Sequence, residues 1–298
     1  MRRSQRKRIE FIENRLYWEG KIIRKDLTDY FEISIPQATK DIKAYIEEAP
    51  DNIVYDNSAK LYKPSDKFKP ALISPDSELY LNHLYFTDNR SDYFYFGAIP
   101  NSYMLPNVKR KIEPSILKYL LDNIRNNNAI NIKYQSMSNP QPSWRWITPH
   151  SLGFDGFRWH VRAFCHNSKK YKDFNLARIL TKGDEKEHYL DHTNDIEWFN
   201  TITFEIAPHR ELSDGQKVCV EFDYSMENGK LNFDVKAAFT YYVMKSFGFD
   251  AKHHERPSNE QQVVLLNREE ILIQKKTMEQ MSQKKTADTV VFECTISE

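Results

Sequence analysis

Three helix-period segments and a short hairpin occupy the first 64 residues, and that order leaves few folds open. Ile9, Phe11, Ile12 and Leu16 repeat at helical spacing up to Gly20, a natural stop. Arg24 to Phe31 reads as a short second helix with Leu27 and Phe31 inward, and Glu32-Ile33-Ser34 as a tight break. Ser34 then suits the cap of a third helix from Ile35 to about Glu48, with Pro36 in its first turn, where a missing N–H costs little. Ala38, Ile42 and Tyr45 or Ile46 form its inner stripe. Gln37, Thr39, Lys40 and Lys43 face outward, and these types bond base edges and phosphates. Ile53-Val54-Tyr55 and Leu61-Tyr62 flank a polar turn at Asp56-Asn57-Ser58, the pattern of a two-stranded wing. Helix, helix, turn, helix, hairpin is a winged helix-turn-helix, although a small helical bundle carrying a hairpin has the same elements. Five of the first eight residues are basic, enough to supply sequence-independent phosphate attraction. The expected DNA-contact set is therefore Arg2, Arg3, Arg6, Ser34, Gln37, Thr39, Lys40, Lys43, Asn57, Ser58 and Lys60.

A chain of 298 residues accommodates two or three domains, and 40% hydrophobic with 13% aromatic residues can pack them. No apolar run reaches the roughly 18 residues needed to span a bilayer, and the basic N-terminus has no hydrophobic stretch behind it. The expectation is a cytoplasmic protein without a membrane partner. Cys165, Cys219 and Cys294 are separated and odd in number, as ordinary reduced thiols are. The net charge of +1 conceals a division. Residues 113–190 carry 12 Lys and Arg against 7 Asp and Glu, whereas 191–298 carry 12 against 19, a poor surface for nucleic acid. No phosphate-binding glycine loop and no nucleophile elbow occur, and the nine histidines form no ligand-spaced set beyond His253-His254. The expectation is a non-enzyme with no metal or cofactor; a nucleotide hydrolase using His160 as base is the alternative.

Prolines at 64, 70, 75, 100 and 106 punctuate a connector over 67–112, with a helix from Pro75 to Phe86 and an aromatic run, Tyr93 to Phe96, expected to pack between domains. Pro114 to Asn127 reads as a helix with Ile116, Leu117, Leu120, Leu121 and Ile124 on one stripe. Ala129–Tyr134, Trp144–Ile147, Leu152–Phe154, the segment 156–163 and Phe174–Ile179 read as short strands, the makings of a small antiparallel barrel. Alternation within 156–163 puts Phe157, Trp159, Val161 and Ala163 on a core face, and Arg158, His160 and Arg162 on a cationic rail suited to phosphates. Pairing with acids such as Asp155 and Asp173 is the structural alternative. In the last region, Phe204–Ile206, Val218–Phe222 and Leu231–Val235 read as strands, followed by a helix from Ala237 to Phe247. Its stripe, Phe239, Tyr242, Val243 and Phe247, fits an interface or its own core.

Tyr134 and Ser136, Arg145-Trp146-Ile147-Thr148-Pro149, Leu152, Gly156, Trp159-His160-Val161 and Phe174 with Arg178-Ile179 together resemble a WYL domain, the Sm-like barrel found behind DNA-binding domains in bacterial regulators. His160 and Val161 stand where that motif has Tyr and Leu, and Lys172 where relatives often carry Arg. The string Arg158 to Cys165, with Pro149 to Leu152 before it and Lys172 to Phe174 after, resembles the WYL repressors of anti-phage defence systems, including the BREX type. The resemblance implies an α+β chain in four parts: a winged helix-turn-helix over 1–66, the connector, a WYL barrel over 113–190 and a C-terminal dimerisation domain over 191–298. It implies a homodimer that represses from an inverted-repeat duplex operator, an activator of the same build being the alternative. It also implies a nucleotide or oligonucleotide effector, for which the candidate ligands are Tyr134, Ser136, Arg145, His150, Arg158, His160, Arg162, Asn175 and Arg178.

Overall fold

The computed structural model describes residues 3–86, 95–104, 110–188, 190–250 and 256–295, with the side chains of the last helix as far as Thr286. The chain divides into two compact units, Met1–Pro106 and Asn107–Glu298.

In the first unit, α1 (Arg3–Trp18), α2 (Arg24–Phe31) and α3 (Ile35–Glu48) precede an antiparallel hairpin of β1 (Ile53–Asp56) and β2 (Leu61–Pro64). Ser34 Oγ accepts the Gln37 N–H at 3.3 Å and starts α3, and the break before it turns on Glu32 at φ 52°. Ile9, Phe11, Ile12, Leu16, Leu27, Ala38, Ile42 and Tyr45 close a single core, as the stripes require. Ile22 bridges to Tyr62 and ties the start of α2 to the wing.

Two buried carboxylates hold this unit together. Asp41 on α3 receives Arg8 Nε at 2.6 Å and Gln37 Nε2 at 3.0 Å, joining α1 to α3. Glu13, fully buried on α1, accepts from Tyr45 Oη at 3.1 Å and from the backbone N–H groups of Ala71, Leu72 and Ile73 at 2.6–3.1 Å. The strand-like stretch after the wing is thereby fastened to the helices by its main chain. Beyond it, Tyr80 of α4 (Ser77–Phe86) stacks on Trp18, with ring centroids 4.6 Å apart. Tyr95 meets Phe11 at 5.4 Å and Phe96 meets Trp18 at 6.1 Å. This part of the expected interdomain aromatic run instead packs within the first unit; Tyr93 and Phe94 lie outside the described residues.

The second unit opens with α5 (Pro114–Asn126), which sets Ile116 and Leu120 against a five-stranded sheet. Its strands are β3 (Ala129–Tyr134), β4 (Ser143–Phe154), β5 (Trp159–Cys165), β6 (Lys170–Asn175) and β7 (Ile179–Lys186), antiparallel in the order β6-β5-β4-β3-β7. The edge strands β6 and β7 are joined only by the 3-10 turn Leu176–Arg178. A three-residue connection cannot cross a flat sheet, because extended chain gains only about 3.5 Å per residue, so the sheet curls until its edges meet. At that seam the Asn175 N–H donates to Tyr134 Oη at 3.2 Å and the Gln135 N–H to the Arg178 carbonyl at 3.1 Å.

Several expectations are corrected here. Trp144–Ile147 and Leu152–Phe154 are one strand, β4, with a register shift between Pro149 and Ser151 that adds a residue at His150. Phe174–Ile179 is not a strand but the end of β6, the seam turn and the start of β7.

After the 3-10 turn His192–Asn194 come α6 (Ile196–Phe199), β8 (Thr201–Pro208), α7 (Asp214–Asp223), β9 (Leu231–Lys236), the 3-10 turn Ala237–Phe239, α8 (Thr240–Ser246), β10 (Val263–Leu265) and α9 (Arg268–Thr295). A second antiparallel sheet has the order β10-β8-β9. Val218–Phe222, expected as a strand, is helical in α7. Ser213 and Gln216 form a reciprocal capping box, and a strong local start outweighs the β-preference of two valines. In the expected 237–247 helix, whose first turn is 3-10, Val243 and Phe247 join the core of this region. Phe239 packs on Trp198 and over Gly153, where a Cβ would overlap its ring.

Replacing Glu13 by Ala leaves three backbone donors and Tyr45 without their acceptor. Urea denaturation should show the first unit destabilised by about 3 kcal/mol or more, the cost of orphaning several buried donors. Glu13→Gln, which keeps an acceptor oxygen, should lose less.

Candidate nucleic-acid interface and ligand seam

On α3 the outward face is built as the sequence predicts, with differences at individual residues. Lys40 and Lys43 are exposed and make no ion pair among the described residues. The Thr39 hydroxyl donates to the Ile35 carbonyl at 3.0 Å, and Ser34 is spent on the cap. Gln37 donates one amide N–H to Asp41, which ties the orientation of the amide and leaves its carbonyl oxygen and second N–H unused. Arg6 is not a free phosphate ligand. It holds Glu10 at 2.8 Å, Glu48 at 3.4 Å and the Leu72 carbonyl at 3.4 Å. Arg3 is exposed and Arg2 lies outside the described residues. At the wing tip Asn57, Ser58 and Lys60 are all exposed. Asp56 Oδ1 accepts the Ser58 and Ala59 N–H groups at 2.9 Å, and Lys60 takes φ 55° to close the turn.

The nine candidate ligands of the barrel fall into two sets, and the first is the rail. Its side chains are not an open cationic surface. Gly156 to Arg158 belong to the β4–β5 turn, where Asp155 Oδ1 accepts the Phe157 and Arg158 N–H groups, so alternation begins only at Trp159. Phe157 and Trp159, expected in the core, are exposed, whereas Val161, Ala163 and Cys165 are buried. Arg158 Nε and His160 Nε2 both reach Asp155 Oδ2 at 2.9 Å. Burial alone would raise the Asp155 carboxyl, but these hydrogen bonds hold its pKa at about 2. His160 is buried, with its Nε2 engaged by Asp155.

Arg162 is the centre of a buried ion cluster. Its guanidinium forks onto Asp195 at 2.7 and 2.9 Å and reaches Glu197 at 3.0 Å and Asp173 at 3.3 Å. Desolvation pulls its pKa down, but three carboxylates outweigh that and raise it above the ordinary value. His150, brought to this face by the extra residue in β4, contacts Asp195 Oδ2 through Nε2 at 3.0 Å. Burial lowers the His150 pKa against the pull of Asp195. The neutral ring then donates from Nε2 and accepts from Ser151 Oγ at Nδ1, 2.9 Å away. Tyr242 Oη closes the cluster by donating to Asp173 at 3.1 Å, and Lys275 Nζ by pairing with Glu197 at 3.3 Å. Of the acids that neutralise the rail, Asp155 and Asp173 belong to the barrel, and Asp195 and Glu197 come from the C-terminal region, 33 and 35 residues beyond Arg162.

The second set gathers at the seam. Tyr134 is buried with its hydroxyl on the Asn175 N–H, and Arg145 lies over its ring at 5.8 Å from the centroid. Arg178 precedes Ile179, the register partner of Tyr134, and Ser136 lies two residues beyond Tyr134. Arg145 bonds Ser143 Oγ at 3.3 Å, and neither it nor Arg178 makes an ion pair among the described residues. Asn175 and His160 are register partners, and Asn175 Nδ2 and His160 Nδ1 are buried without a hydrogen-bond partner among the described residues. The neighbourhood of this seam thus holds two guanidinium groups without an ion pair among the described residues and the hydroxyls of Tyr134 and Ser136, groups suited to anionic ligands, while the unmatched Asn175 Nδ2 and His160 Nδ1 belong to the rail face of β5 and β6.

Three domain families match the chain. Residues 4–86 match the BrxR transcriptional regulator winged helix-turn-helix domain, 115–182 the WYL domain, and 201–271 the BrxR transcriptional regulator C-terminal dimerization domain. Fold and matches define the class, the WYL-domain regulators of three-part build. The chain is 34% identical over 273 residues to the DNA-binding transcriptional repressor CapW of Escherichia coli (strain KTE188), covering 90% of this chain and 91% of that one. CapW of Stenotrophomonas maltophilia is 33% identical over 279 residues, covering 91% and 92%. CapW of Pseudomonas aeruginosa is 33% identical over 274 residues, covering 90% and 91%. The chain belongs to this BrxR and CapW family of regulators.

The two sets should separate in stability measurements. Arg162→Met strands several buried carboxylates and should cost about 3–5 kcal/mol in urea unfolding of the second unit. Arg145→Ala and Arg178→Ala, with no ion pair to break, should each fall within about 0.5 kcal/mol of the parent.

Proposed function

We propose that this protein is a dimeric transcriptional repressor that binds an inverted-repeat operator through the winged helix and releases it when a nucleotide or short nucleic-acid ligand occupies the barrel seam. The observation that carries the DNA-binding half is the outward face of α3, where Lys40 and Lys43 stand exposed and unpaired beside the Gln37 carbonyl, next to a wing with a polar, basic tip. Repression and dimerisation follow from the CapW relatives and from the dimerization domain matched at 201–271. A twofold dimer reads half-sites about one helical turn, or a multiple of it, apart. The resemblance to defence regulators directs the reading to an operon that includes the protein's own gene.

Footprinting on that promoter should give a twofold-symmetric protected region, and protection of random duplex at equal concentration would overturn the reading. Lys43→Ala should weaken specific and random binding alike and lower the salt dependence by about one counterion. Gln37→Ala should relax preference at one base pair by about 1 kcal/mol, the scale of a single hydrogen bond.

The effector half rests on the seam. Arg145 and Arg178, partly exposed and with no ion pair among the described residues, are open to an anionic ligand, and the hydroxyls of Tyr134 and Ser136 beside them can accept or donate to its heteroatoms. A ligand alters DNA affinity only through a difference in its own affinity for the two states. Mononucleotides, cyclic nucleotides and short single strands, added to the protein on operator DNA, should release the parent. Arg145→Ala and Arg178→Ala should stay bound at ligand levels at least tenfold higher. Release of both variants at parental ligand levels would remove the seam as the effector site.

A further inference from the structure

Ile35 opens α3 with 66% of its surface exposed, and among the described residues of the first unit no aliphatic side chain is more exposed. It takes no part in the core of that unit. For folding alone this is an odd choice. A β-branched residue is a weaker helix former than alanine or a charged residue, and here it buries little in return. Its position is nevertheless rigid. Ser34 caps the helix on one side, Pro36 fixes the backbone on the other, the Thr39 hydroxyl holds the Ile35 carbonyl at 3.0 Å, and the side chain is stiff at χ1. Further along the same helix stand Lys40 and Lys43, exposed and without an ion pair among the described residues. An exposed apolar group on a helix that also carries such cations suits a polyanion that itself carries an isolated apolar group. In the major groove of duplex DNA that group is the C5-methyl of thymine, the one methyl that the base edges offer there.

We propose that Ile35 reads a thymine methyl group in each half-site, at the first position of the recognition helix. The inference rests on the DNA-binding reading above and adds a base and an atom to it. Its test works on an operator of any sequence. The promoter fragment is amplified with either dTTP or dUTP, which differ by that methyl, and both products are titrated with the parent, Ile35→Val and Ile35→Ala at fixed salt, with a random duplex as reference. The parent should bind the thymine fragment about fourfold more tightly than the uracil fragment for each methyl read, the equilibrium equivalent of one buried methylene. Ile35→Val should keep most of that preference. Ile35→Ala should bind the thymine fragment more weakly and barely distinguish the two, while its thermal unfolding matches the parent. Equal binding of both fragments by the parent would overturn the proposal and leave DNA recognition standing, as would a uracil penalty undiminished in Ile35→Ala. A parent that binds no promoter fragment above random duplex would take down the DNA-binding reading itself.

Discussion

The second unit is organised around one guanidinium. Arg162 sits on β5 with 5% of its side chain exposed, and a charge that deep is tolerable only because Asp195, Glu197 and Asp173 surround it. The constraint runs both ways. Asp195 has no exposure of its own and depends on Arg162 and His150 to stay ionised. The stretch from Asp195 into α6 is therefore laid down on the β5 face by mutual need, and Tyr242 and Lys275 bring α8 and α9 to the same place. An apolar interface would tolerate sliding. A forked, three-carboxylate contact fixes one register between barrel and C-terminal region.

The sequence was most legible where local signals agreed. The three helices of the first unit fall where their stripes and the Ser34 cap put them, because each helix buries its face against the others within fifty residues. The α5 stripe and β3 were readable for the same reason. The failures share a cause in distance or in a local signal outweighed. Alternation along 156–163 correctly places Val161 and Ala163 inward, and the alternative of pairing with Asp155 and Asp173 is what the rail shows; what no local signal announces is the further pair of acids, Asp195 and Glu197, that arrives later in the chain. Nor does alternation show that Asp155 bends the first three residues into a turn. Val218–Phe222 looks extended on residue preference and is helical because a capping box precedes it; the deciding signal, Ser213 followed by Gln216, stands in the sequence itself. Glu13 and Asp41 carried no visible mark at all, as buried acids inside helices otherwise rich in surface charge.

The candidate site was half legible. The residue types named for the barrel suit a polyanion, and burial sorts them into a set that serves the fold and a set without an acidic partner among the described residues. Arg158 and Arg162 have Asp155 and Asp173 close by in the sequence as well as in space, but Asp195 and Glu197 are brought to Arg162 only by the fold, while Arg145 and Arg178, near the β6–β7 seam, meet no acid among the described residues.

The clamp on Glu13 has an evolutionary side. Ala71, Leu72 and Ile73 contribute to it only through main-chain N–H groups, so the clamp itself sets no demand on their side chains, although Leu72 also packs against the core of this unit. A comparison of homologous sequences would register the clamp at Glu13 and Tyr45, and at their main-chain partners only as an avoidance of proline, which has no N–H to offer, beside the apolar preference that packing sets at Leu72. The attachment of this segment to the helices is thus recorded in the genome on one side only.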